Sequence, residues 1–273
     1  MLALLNWYLG EADRARELIE EANRRAAEIP HVPSMAVPLQ IRCHLQVLRG
    51  DASAALTACE ALGALSREHG MALQQVWAEL DLSWAQGRLD DPKGGAAAFQ
   101  LALAALAERG DASDLPFHFG LLAQLEAEAV GVEAALARVD EALALIHQGE
   151  VRFCLAFLHR LRGDLLVKRD PAETASAEDA FRAAIAVAKE QGARSLHIQA
   201  ALPLAKLYQS KAKPAEAHAV LALALEGFSP TPEMPKIAEA QALLAILVET
   251  DEVKNAEASG QRRLQLQTSY ARR

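Results

Sequence analysis

The residue types best suited to nucleophilic, acid–base or metal chemistry are the chain's eight histidines and three cysteines, and their spacing decides whether they can work together. The closest associations are His44 next to Cys43, and His159 five residues after Cys154. A helical metal site needs a second ligand one turn away, as in HExxH, and a serine hydrolase presents its nucleophile on a GxSxG turn; neither motif occurs. Cys43, Cys59 and Cys154 lie far apart, are odd in number and form no CxxC pair, so no disulfide framework or zinc site is indicated and a reducing cytoplasm fits. The glycine pair Gly94-Gly95 in PKGGAAAF lacks the GK[ST] that cradles phosphate. The carboxylates of ELIEEA, ELD and LEAEA read as solvated helix faces, and the histidines as helix residues packed between helices. No enzyme, catalytic residue, cofactor or metal is expected.

The elements that carry these residues follow from composition. The 273 residues are 52% hydrophobic but only 5% aromatic. Ala and Leu dominate while Val, Ile, Thr and Tyr are sparse, which favours helix nearly everywhere. The expected class is all-α. A net charge of −8 and a pI near 5.5 argue against nucleic acid as a partner, because that affinity comes largely from Lys and Arg neutralising phosphates. No run of about eighteen uncharged apolar residues exists, and MLALLNWYLGEADR lacks the basic start of a signal peptide, so no membrane partner is expected.

A pattern of small, large, small residues at i, i+4, i+7 recurs along the chain. It reads as Ala15/Ile19/Ala22, Ala55/Cys59/Leu62, Ala97/Leu101/Ala104, Ala135/Val139/Ala142, Ala177/Phe181/Ala184 and Ala217/Leu221/Ala224. The steps between first members are 40, 42, 38, 42 and 40, the mark of stacked supersecondary units. Each set follows a turn signal: Gly10, Gly50, Gly87, Gly131, Asp170-Pro171 or KAKPAEA around Lys213. Gly and Asp permit the reversal between two antiparallel helices, and acidic residues suit the start of the next one. Small residues let the helices approach, and the large one fills the hollow. The expected fold is a solenoid of about six antiparallel helix pairs over 1–249. After Pro230, Pro232 and Pro235 it ends in a closing helix that buries Ile237, Ala240, Leu244 and Leu247. Residues 250–273, with Arg262, Arg263, Arg272 and Arg273, read as a solvated, partly disordered tail, the alternative being an interaction tail or intermolecular helix.

The stretches RGDLLVKRDPAETASAEDAFRAAIAVA and LYQSKAKPAEAHAVLALAL resemble the tetratricopeptide-repeat family, with Phe181, Ala184, Leu207-Tyr208 and Ala217 at its marked positions. The family's period is 34, so the helices here must be longer by half a turn or more, and its first-helix glycine and tryptophan are mostly absent. LHRLRGDLL, FRAAIAVAKEQGARSLHIQAALPLAKLYQ and AEAHAVLALALEGF are similar to the C-terminal helical region of bacterial predicted ATPase and adenylate-cyclase regulators. The resemblance implies a right-handed superhelix whose first helices line a concave groove. On that side it places Trp7, Gln40, His44, Trp77, Asp81, Trp84, Gln124, Arg160, Asp164, Lys206 and Gln209.

All three tryptophans fall in that set; as large, rigid side chains they would serve as anchors for a partner, whereas a register one residue different turns Trp77 or Trp84 by about 100° into the repeat core, where alanine substitution would cost stability instead of binding. The implied function is a non-enzymatic scaffold that holds a protein or peptide in the groove. The alternative is the ligand-sensing arm of a signalling ATPase or cyclase, with that domain upstream as its partner. At the other end of the chain the apolar face of Leu2, Leu5 and Tyr8 needs cover, from which either self-association through the N-terminal repeat or a further segment upstream is expected.

Overall fold

A computed structural model of the chain describes residues 1–29, 31–110, 114–149, 152–172 and 174–249. The expected polar tail lies outside the described residues. Twelve helices run in order: α1 (Leu2–Tyr8), α2 (Ala12–Ala27), α3 (Val32–Arg49), α4 (Ala52–Glu68), α5 (Ala72–Leu89), α6 (Pro92–Glu108), α7 (Leu115–Ala129), α8 (Val132–Gln148), α9 (Leu155–Arg169), α10 (Ala175–Glu190), α11 (Arg194–Ser210) and α12 (Pro214–Leu225). A thirteenth, α13, spans 235–249, and the described residues contain no strand. The all-α reading therefore holds.

Local chemistry sets the helix ends. Asp51 and Asp91 cap α4 and α6, each carboxylate accepting a backbone N–H three residues on at 2.9 Å. Gly50 ends α3 in the left-handed region at φ 75°, where glycine pays no Cβ penalty. Pro92 and Pro214 stand in the first turns of α6 and α12, where no helical N–H is lost. The residues preceding α2, α4, α6 and α8 are 11, 51, 91 and 131, a step of 40 each time.

The chain divides into two compact units, Met1–Ala200 and Ala201 onward, with the division inside α11. In the first unit consecutive helices pack against each other, and α1, α3, α5, α7 and α9 also touch one another in sequence, so the odd-numbered helices form a layer of their own. The sets at Ala55, Ala135 and Ala177 are buried throughout; in the first set Ala15 and Ile19 are buried and Ala22 is half-buried. In the second unit Ala217, Leu221 and Ala224 of α12 and Ile237, Ala240, Leu243 and Leu247 of α13 are buried. Leu243 takes the place expected of Leu244, which is half-buried.

Two expectations fail in α5 and α6. Gly87 is not in a turn: it lies inside α5, and the reversal falls at Asp90 and Asp91. The set Ala97/Leu101/Ala104 faces solvent, with Leu101 74% exposed. The buried set is Gly95/Phe99/Ala102, two positions earlier. In so alanine-rich a helix both registers satisfy the pattern, and two positions rotate the face by about 200°. With Gly95 in place the six sets start at 15, 55, 95, 135, 177 and 217, a more regular series than the sequence suggested.

Gly87 and Gly95 instead allow α5 and α6 to meet backbone to backbone. A Cβ on Gly95 would stand 2.4 Å from the Gly87 Cα and 2.8 Å from the Ser83 carbonyl oxygen. Main chain cannot swing aside as a side-chain tip can. Gly95→Ala is therefore expected to destabilise the protein by about 1–3 kcal/mol despite alanine's better helix propensity. Chemical denaturation checks this; a more stable variant would refute the close crossing.

Candidate interaction surface

The first-unit residues expected on a concave face all lie on odd-numbered helices: Trp7 on α1, Gln40 and His44 on α3, Trp77, Asp81 and Trp84 on α5, Gln124 on α7, Arg160 and Asp164 on α9. They are not equally accessible. Trp7 and Trp84 are each 1% exposed, so neither is an exposed anchor. The chain's own side chains cover them. Trp84 Nε1 donates to Gln124 Oε1 at 2.8 Å, joining α5 to α7, and the Tyr8 ring stands edge-on to Trp7 at 5.2 Å. Trp77, Gln40, His44, Gln124, Arg160 and Asp164 remain half-buried. In the second unit Lys206 and Gln209 are exposed, with Lys206 Nζ 2.6 Å from Glu239, itself paired with Lys236.

An aromatic group that the sequence reading passed over fills the space between the odd-numbered helices. Phe117 of α7 lies 5.9 Å from Phe153 and 5.5 Å from Phe157, ring centre to ring centre. The His44 ring reaches Phe117 at 5.1 Å, from α3 past α5 to α7. Arg160 sits over Phe157 at 5.5 Å and pairs with Asp164 one turn on. A signal existed: four of the seven phenylalanines, Phe117, Phe119, Phe153 and Phe157, fall within a stretch of about forty residues in an aromatic-poor chain.

Two carboxylates expected on solvated faces are buried instead. Glu126 accepts from Arg138 Nη2 at 3.1 Å and Nε at 3.3 Å, and Arg138 also lies over Phe119 at 5.1 Å. The Glu126 carboxylate beside it holds the Arg138 guanidinium above its ordinary value. Asp81 is 8% exposed, and burial pushes its carboxyl up to about 7. By contrast Glu20 is exposed and Glu21 half-buried in ELIEEA, and they pair with Arg16, Arg24 and Arg25 on their own helix.

The three cysteines are buried free thiols. A hydrogen bond with Cys43 and then burial hold the Cys59 thiol far above its ordinary value, and burial pushes Cys154 up to about 12. Thiols held protonated supply little thiolate for nucleophilic attack. Among the described residues no group of three or more His, Cys, Asp or Glu is placed to hold a metal ion. Among them too, no helix is long and apolar enough to cross a membrane.

Burial gives the site an opposed pH response. His44 and His197 are each lowered to about 4, His44 by burial and then the charge of His118, His197 by burial and then Lys189 and Arg194. Their folded values lie below the unfolded one near 6.5, so the stability they contribute is present above about pH 6.5 and lost as pH falls to 4. Asp81 works the other way: its folded value is raised, so its contribution is present below about pH 4 and lost as pH rises through 7. Asp81→Asn should leave the acid loss in place and gain on the parent as pH rises from 5 to 8, by on the order of 1–3 kcal/mol. Urea midpoints at the two pH values measure this; a gain independent of pH would contradict it.

These features define an all-helical protein whose odd-numbered helices carry a semi-enclosed aromatic and polar face. No family model matches the chain. It is 27% identical over 195 residues to an uncharacterized protein of Rhizobium meliloti, a match that takes in 71% of this chain and 19% of that protein. The chain thus spans about a fifth of the length of the relative it matches. Among solved structures it is similar to BtubC (BKLC) from P. vanneervenii, with a TM-score of 0.52 and 19% identity over 82% of this chain and 93% of that one. At that identity the likeness concerns the helical fold alone.

Proposed function

We propose that the chain is a tetratricopeptide-like repeat module, a right-handed solenoid of helix pairs finished by α13. It would act without catalysis, in a reducing cytoplasm, by holding a protein or peptide segment along its odd-numbered helices. The observation that carries this reading is the buried small–large–small set returning every 40 or 42 residues from Ala15 to Ala224. Stacked units of this kind present a long layer of equivalent helices, and a curved layer is a natural surface for an extended partner. The accessible part of that layer here is Gln40, His44, Trp77, Gln124, Arg160 and Asp164, and leaves out the buried Trp7 and Trp84. The exposed Leu2 and Leu5 of α1 support self-association as a secondary property.

Affinity capture from native lysate with mass spectrometry, run with the parent and with a folded Gln40→Ala/Trp77→Ala variant, tests the reading. A protein retained by the parent and lost by the variant is expected; identical profiles would refute it. A second reading, the sensing arm of a larger signalling protein, is favoured by the length of the Rhizobium meliloti relative. Recovery of an ATPase or cyclase as the captured protein would select it.

A further inference from the structure

Among α2, α4, α6 and α8, which repeat at a step of 40, only α6 carries no charge at the middle of its outer face. The equivalent positions are Glu20 and Glu21 in α2, Glu60 and Ala61 in α4, Gln100 and Leu101 in α6, and Asp140 and Glu141 in α8. Between Lys93 and Glu108 the helix has no charged residue at all, in a chain that is 23% charged. Lys93, Ala97, Gln100, Leu101, Ala104 and Glu108 are all exposed. The close crossing of Gly95 with Gly87 of α5 fixes this side outward. Neighbouring odd-numbered helices touch one another, but α4, α6 and α8 make no close backbone contact among themselves, so α6 stands clear of both.

The six exposed residues occupy one stripe, about 100° of the helix circumference, and are symmetric about a point between Gln100 and Leu101. A second α6, turned end for end about that point, sets Ala97 against Ala104, Gln100 against Leu101 and Lys93 against Glu108, each twice. The alanines permit close approach, and the Gln100 amide already has a partner in Glu126 Oε1 of α7 at 3.5 Å. The same operation on α2, α4 or α8 would bring carboxylates together at the centre. The end charges point the same way. Lys93 lies in the first turn and Glu108 in the last, each at the end of the helix dipole that repels it, and neither has an ion-pair partner among the described residues. In an antiparallel pair each Lys93 meets the C-terminal end of the other helix, and each Glu108 its N-terminal end.

We infer that the outer face of α6 is a two-fold, antiparallel contact with a second copy of this chain. It lies on the even-numbered helices, not on the proposed binding surface, and does not depend on that reading. One helix pair buries less than the roughly 1,200 Å² of a stable interface, so the dimer is weak, half formed at roughly 10–500 µM.

Sedimentation equilibrium of the full chain across that range tests the contact, with circular dichroism melts to show that each variant is folded. The parent should rise from the mass of one chain toward that of two. Lys93→Glu and Glu108→Lys each turn two attractive pairs into two repulsive ones while suiting the helix dipole better, so both should fold and each should weaken the dimer about tenfold or more. Mixed in equal amounts they should restore it, because every pair across the two-fold is then opposite in sign. Leu101→Asp, at an exposed position, should abolish it. A parent that stays a monomer throughout the range, a Leu101→Asp dimer as strong as the parent's, or a mixture no stronger than its two components would overturn the inference.

Discussion

Phe181→Ala is expected to lower the free energy of unfolding by about 3–5 kcal/mol. The ring is buried between α9 and α10, flanked by the fully buried Ala177 and Ala184. It lies directly over Gly163, where a Cβ would come within 2.5 Å of the Phe181 Cε1. The residues around it are thus the ones with least side chain to collapse into the void, which puts the loss toward the upper part of the range for such truncations. The converse variant, Gly163→Ala, would collide with the ring and should also destabilise. Urea denaturation measures both. A loss under about 1 kcal/mol for Phe181→Ala would show that the ring is not the wedge between these helices.

Trp84→Ala is expected to cost about as much, 3–5 kcal/mol, for a different balance of reasons. It removes a fully buried indole of α5 and leaves the Gln124 amide oxygen of α7 without its donor. Trp84→Phe separates the two contributions, since it keeps most of the buried area and loses only the hydrogen bond, for about 1 kcal/mol. Trp77, half-buried two turns earlier, should tolerate alanine better. If Trp84 were instead an accessible anchor, its alanine variant would melt with the parent.

Helix class, helix order and most of the repeat register were readable because they depend on local spacing. A cap such as Asp51, a left-handed Gly50 and a buried Ala177/Phe181/Ala184 face are each specified within about ten residues. Where two local registers were equally good, as at Gly95 and Ala97, composition could not choose. The choice was made by backbone contact between Gly95 and Gly87, which no property of either residue alone announces. The candidate surface was less readable still. Trp7, Asp81 and Trp84 lie on odd-numbered helices, but their burial was not legible from their neighbours in sequence: the indole N–H of Trp84, for one, is met by Gln124, 40 residues away. Asp81 and Glu126 have the same helical surroundings in sequence as carboxylates that face water. Only their neighbours in space distinguish them.

The Ser195 hydroxyl donates to the Trp7 carbonyl, a bond with a consequence for the order in which the protein is made. Contacts between successive helices need little chain and can form while the rest is still being added, and the Trp7 carbonyl meets the Gly10 N–H at 3.0 Å at once, but the Ser195 hydroxyl that also donates to it comes 188 residues later. At about 5–20 residues per second, synthesis leaves that interval open for roughly 10–40 s. Throughout it, α1, with Leu2 and Leu5 exposed, is short of that contact. This seven-residue helix therefore gains that bond only once the start of α11 has been made. A synonymous change that slows translation anywhere between the codons of Leu48 and Ser195 lengthens the period in which a chaperone, or another nascent chain, can occupy it.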